Sequence, residues 1–155
     1  MDFFLQNWGA GFVAYYATRF ADTLAKQGEE IMREKGWKTP PLSVSTVLYL
    51  HAQNGASVTD ISNAVGSSHQ LTAQRIKELE KLNLAKRVPN KNDKRSRLIM
   101  LTPIGQEEAE ELGKFMQEVQ QIFSQLETEI GCNLSEKIIE AERCMQRNTL
   151  KDRML

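Results

Sequence analysis

Between Ser57 and Leu82 two short helical patterns are separated only by Gly66-Ser67-Ser68, and that spacing leaves few folds open. Ser57-Val58-Thr59-Asp60 opens the first pattern as a capping box, in which hydroxyl and carboxylate each satisfy an orphan backbone N–H. Ile61, Ala64 and Val65 make its apolar side, and Gly66 supplies a left-handed stop. Ser67 or Ser68 caps the second pattern, where Thr72, Ile76 and Leu79 recur on one face. Asn83 then stands where a left-handed residue should end it. Two short helices joined so tightly make a helix-turn-helix.

The chain beyond Asn83 narrows the architecture. Leu84 to Val88 reads as a strand, 89–94 as a polar loop, and Arg97 to Leu101 as a second strand. The hairpin is basic: Lys86, Arg87, Lys91, Lys94, Arg95 and Arg97 are interrupted by a single acid, Asp93. The whole chain balances 20 basic against 20 acidic residues. Any cationic surface is therefore local, a basic wing offset by the acidic run Glu107, Glu108, Glu110 and Glu111 just beyond it.

Helices flank this segment. From Phe3 to Glu34 the rings of Phe4, Trp8, Phe12, Tyr16 and Phe20 recur every four residues, which predicts one long helix bearing a slanting aromatic stripe. Gly36 and Pro40-Pro41 end it. A second helix, with Ser43 as its cap, runs from Val44 to about Gln53 and stops at Asn54-Gly55. Thr102-Pro103 starts a long helix that reaches Ile130 and breaks at Gly131. Ser135 opens the last, with Ile138, Ile139, Ala141 and Met145 expected on a buried side. The expected fold is mainly α with a small β-hairpin wing: a single domain with a winged helix-turn-helix at 42–102 flanked by helical regions 1–36 and 103–155, whose first helix must pack against the rest of the chain, a second copy, or both.

With Thr72, Ile76 and Leu79 turned inward, the helix after Ser68 offers Ser68, His69, Gln70, Leu71, Gln74 and Lys77 to a partner. Glutamine pairs bidentately with adenine, leucine meets a thymine methyl, and a capped helix N-terminus suits a phosphate. Beside them, cations on a hairpin suit phosphates or the narrow minor groove. Duplex DNA is the partner these residue types fit together, although each alone is equally at home on a solvated surface.

The stretch Val58 to Gly105, with Leu79-Glu80-Lys81, Asn83-Leu84, Asp93-Lys94-Arg95, Leu101-Thr102 and Gly105, resembles the MarR family of regulators. Leu134-Ser135-Glu136 resembles the family's approach to its last helix. The resemblance implies a homodimeric transcriptional regulator, a repressor released by a small-molecule effector. Its first and last two helices would form the dimer interface, and its recognition helices would enter successive major grooves of a pseudo-palindromic operator. It implies DNA contacts from Lys91, Asp93, Lys94, Arg95 and Arg97, with Arg95 in the minor groove and Asp93 holding the wing in shape. Asn83 replaces the family's usual glycine, and Gln70 replaces its usual proline.

Relatives of this kind bind phenolic or anionic ligands, for which Trp8, Phe12, Tyr15, Arg19 and His51 are the candidate lining. Tyr15 and Arg19 lie four apart and so share a helix face. Aromatic residues at helical spacing serve equally as interface core. Cys132 and Cys144 invite a redox reading that requires an electropositive, accessible thiol. His51 and His69 are the only histidines and there is no Cys-x-x-Cys, so no metal is expected. No phosphate loop, His-Glu-x-x-His or nucleophile elbow occurs, which argues against an enzyme and a cofactor. No apolar run approaches the roughly 18 residues of a membrane span, and Met1 to Leu5 has no basic signal-like region, so a cytoplasmic protein is expected. The competing reading is a winged-helix protein-interaction module that does not read DNA.

Overall fold

The computed structural model describes residues 3–90 and 97–154. It forms two compact units, Met1–Leu112 and Gly113–Leu155. In the first, α1 (Phe3–Gln6) and a 3-10 turn (Gly9–Phe12) precede α2 (Val13–Glu34), and a second 3-10 turn (Pro41–Ser43) leads into α3 (Val44–Gln53). Then come α4 (Val58–Val65), α5 (His69–Lys81), β1 (Ala85–Pro89), β2 (Arg97–Leu101) and α6 (Pro103–Ile130), whose residues to Leu112 belong to this unit. The second unit holds the rest of α6, then α7 (Leu134–Arg147) and a terminal 3-10 turn (Asp152–Met154).

The single helix expected over Phe3–Glu34 is broken. Gly9 takes φ +49°, a left-handed conformation that interrupts the first turns, and the regular helix starts only at Val13. The aromatic recurrence continues through the break, so spacing alone hides it. Elsewhere the punctuation residues stand where they are needed: Asn54, Gly66 and Asn83 all have positive φ, at +53°, +65° and +58°. Asn83 thus provides the left-handed backbone that its position requires.

The core of this unit lies among α3, α4, α5 and the hairpin. Val47, Leu50, Ile61, Ile76, Leu79, Leu84, Ile99 and Leu112 are fully buried. Each such side chain contributes about 1.5–3 kcal/mol by leaving water. The inward set Thr72, Ile76 and Leu79 is buried as expected, while Ala64 is exposed and Ser62 takes the buried place on α4. Ser43 occupies the cap position of α3, but its hydroxyl is buried without a partner among the described residues and caps nothing.

β1 and β2 pair antiparallel, with Ala85 opposite Leu101 and Pro89 opposite Arg97. Ala56 extends the sheet by exchanging hydrogen bonds with Ile99: its N–H donates to the Ile99 carbonyl at 3.0 Å, and the Ile99 N–H returns one at 2.8 Å. The hairpin then meets α6 directly. The Thr102 N–H donates to the Leu84 carbonyl at 3.0 Å, and a Cβ on Gly105 would lie 2.0 Å from that same oxygen. Only hydrogen fits at position 105.

In the second unit, α7 is capped by Asn133, whose Oδ1 accepts from the Glu136 N–H at 3.0 Å, rather than by Ser135. Ser135 instead donates through its N–H and hydroxyl to Glu127. The buried side expected for α7 is not buried within the chain. Ile138, Ile139 and Met145 are 55%, 48% and 41% exposed, and Ala141 is exposed with them.

Candidate nucleic-acid interface

The helix-turn-helix is locally over-determined, which is what a reading surface needs. Ser57 Oγ accepts from the Asp60 N–H at 3.1 Å while Asp60 Oδ2 accepts from the Ser57 N–H and hydroxyl, the reciprocal cap expected from the sequence. Those hydrogen bonds hold the Asp60 carboxyl below the usual carboxylate range. Ser68, not Ser67, caps α5 by accepting from the Leu71 N–H at 3.2 Å. Ser67 lies within hydrogen-bond distance of Thr72, with 2.6 Å between their hydroxyls, which pins the turn to the buried face of α5.

The opposite face of α5 is presented outward. Ser68, His69, Gln70, Gln74 and Lys77 are exposed, and Leu71 keeps 40% of its surface. Among the described residues, no side chain of His69, Gln70, Gln74 or Lys77 has a hydrogen-bond or ionic partner. The helix therefore carries a row of donors and acceptors with no internal use there.

The strands of the hairpin add described cations. Lys86 is exposed on β1, Arg97 is exposed on β2, and Arg87 is engaged by Glu80 at 3.0 Å. Of the wing residues singled out above, Lys91, Asp93, Lys94 and Arg95 lie outside the described residues.

Side chains missed by sequence reading connect the approach to α3 with the start of α6. Glu108 is buried and accepts from the Lys38 N–H at 2.9 Å, the Thr39 N–H at 3.0 Å and the Thr39 hydroxyl at 2.7 Å. The Trp37 indole N–H donates to Glu111 at 2.5 Å. His51 Nδ1 and Gln106 Oε1 are 2.6 Å apart. An acidic helix start reads as a solvated face in sequence, yet two of its carboxylates are structural acceptors.

The five residues expected to line an effector site are dispersed in their contacts. Trp8 is 63% exposed, Phe12 is half-buried, Tyr15 packs edge-to-face on Tyr16 at 5.8 Å, and Arg19 is exposed. Among the described residues no side-chain hydrogen bond links any two of Trp8, Phe12, Tyr15, Arg19 and His51. Cys132 is exposed and Cys144 half-buried, with Arg147 Nη2 3.2 Å from the Cys144 sulfur. Among the described residues no three His, Cys, Asp or Glu side chains converge on a metal position, and no helix is long and apolar enough to cross a membrane.

Residues 39–96, from the Glu108-bound linker into the wing, match the model of the MarR family. Over this segment the chain is similar in sequence to the MarR family. The fold is also that of solved structures. The crystal structure of the S. aureus MepR–DNA complex is similar over 87% of this chain and 94% of that one, at 18% identity and a TM-score of 0.66. Reduced AbfR bound to DNA is similar over 81% and 95%, at 22% identity and a TM-score of 0.59. The transcriptional regulator SlyA is similar over 90% and 95%, at 15% identity and a TM-score of 0.66. No curated protein matches the chain in sequence.

Proposed function

We propose that this chain is a sequence-specific, duplex-DNA-binding transcriptional regulator that works as a homodimer on a pseudo-palindromic operator. The observation that carries the reading is the outward face of α5: exposed, polar, without partners among the described residues, and anchored by a fully buried opposite face. A helix N-terminus capped by Ser68 suits a phosphate, and Lys77 two turns on suits another. Lys86 and Arg97 continue the positive surface, and Lys91, Lys94 and Arg95 are assigned to the backbone and minor groove, with Asp93 ordering the wing. MepR and AbfR, whose lobes share this fold, were solved on DNA.

Two copies are needed to read two half-sites. The apolar surface of α7 and of Ile122, 60% exposed on α6, is material for that association. In this reading 1–36 and 103–155 serve dimerisation around the lobe 42–102. The repressor role fits a protein whose DNA-competent form is disfavoured by a bound phenolic or anionic effector near Trp8, Phe12, Tyr15, Arg19 and His51. Such an effector must bind the form with wrongly spaced helices more tightly.

Fluorescence-anisotropy titration of the purified chain with its own upstream DNA and a scrambled duplex, across a salt series, tests the reading. Preferential, salt-sensitive binding of one dimer per site is expected. Lys77→Ala should weaken both duplexes alike and flatten the salt slope by about one unit. An unchanged slope removes Lys77 from the interface. Absence of binding at low salt by a folded protein rejects DNA as the partner and favours a protein-interaction module.

A further inference from the structure

The chemistry of the α5 surface also states what kind of sequence it reads, an inference that rests on the DNA-binding role proposed above. At 100° per residue, Gln70, Gln74, Lys77 and Lys81 fall within about 60° of one another, diametrically across from Thr72, Ile76 and Leu79. Leu71 flanks Gln74 on this face. A recognition helix meets base edges with its N-terminal turns and the backbone with later ones. The first two turns therefore set the readout, and here they offer Gln70, Leu71 and Gln74 beside His69.

Those residue types favour one base pair. A glutamine amide, one donor and one acceptor, matches the N6 donor and N7 acceptor of adenine. Leu71, 40% exposed at the rim of a polar face, is the apolar side chain offered there, and the thymine C5-methyl is the apolar group in the major groove. Guanine is read by the paired donors of arginine or lysine, and the first two turns carry only Arg75. Arg75 lies toward the lobe, half-buried, with its Nε shielded from solvent and unpartnered among the described residues, so its stem is held off the reading face. Lys77 is on the third turn.

We infer that Gln70, Leu71 and Gln74 select an A·T-containing half-site in the major groove, with Leu71 detecting thymine by its methyl group. Selection of the full-chain protein on a random-sequence duplex library, followed by titration of the selected duplex with thymine or uracil at the enriched positions, tests this. Enriched half-sites should carry adenine and thymine at adjacent positions. Replacing the critical thymine by uracil should weaken the wild-type protein about fourfold and leave Leu71→Ala, which binds more weakly from the outset, unaffected. Gln74→Ala should lose about five- to a hundredfold of its discrimination for adenine. Both sites are exposed, so melting temperatures should stay at the wild-type value and separate readout from folding. Guanine and cytosine at the enriched positions, or an equal uracil penalty in wild type and Leu71→Ala, overturns the inference. Salt-sensitive binding without enrichment overturns it while sparing the DNA-binding role, and failure to bind any duplex at low salt removes both.

Discussion

The lobe from residue 42 to 102 and the segment from Gly113 onward are built from similar amphipathic helices, yet only the first closes on itself. In the lobe, Leu50, Ile61, Ile76, Leu79 and Leu84 have no accessible surface. Along α7 no residue is buried, and Ile122, Ile130, Ile138 and Ile139 all stay about half or more exposed. A periodic apolar face states that cover is required, and says nothing of who supplies it. In the lobe the cover is other parts of the same chain. For α7 the proposed cover is a second copy.

The largest effect that would break this contrast lies in the lobe. Ile76→Ala removes a fully buried side chain and should cost about 3 kcal/mol in urea unfolding. A loss near zero would mean that the lobe is as incomplete as α7. Glu108→Ala should come next, at about 2 kcal/mol, because it strands two backbone N–H groups and the Thr39 hydroxyl. If calorimetry shows no change, water or a neighbour substitutes and the carboxylate is not what holds the linker. The smallest effect on lobe stability is expected for Ile139→Ser. It should leave the lobe's unfolding within about 0.5 kcal/mol while shifting sedimentation toward monomer at micromolar concentration. Unaltered association would detach α7 from the dimer model.

What can be read from sequence tracks the range of the interactions involved. Gly66, Asn83, Ser57-Asp60 and the inward triplet Thr72, Ile76 and Leu79 act within a few residues of themselves, and each is legible from the chain alone. Glu107, Glu108, Glu110 and Glu111 are chemically interchangeable in sequence. Only the fold turns Glu108 toward Thr39 and Glu111 toward Trp37, some seventy residues away in the chain. The break at Gly9 is masked by aromatic spacing that persists on both sides of it. On the reading surface, the α5 residues are identified from the face left over once the buried triplet is assigned.

The absence of a side chain at Gly105 has a mechanical consequence. Between most packed elements lie side chains that can change rotamer when one element is displaced. Here the backbone of α6 bears on the Leu84 carbonyl, and the Thr102 N–H grips that same oxygen. The junction has no compliant layer. A displacement of the first turn of α6 is therefore passed to the root of the hairpin by backbone directly against backbone.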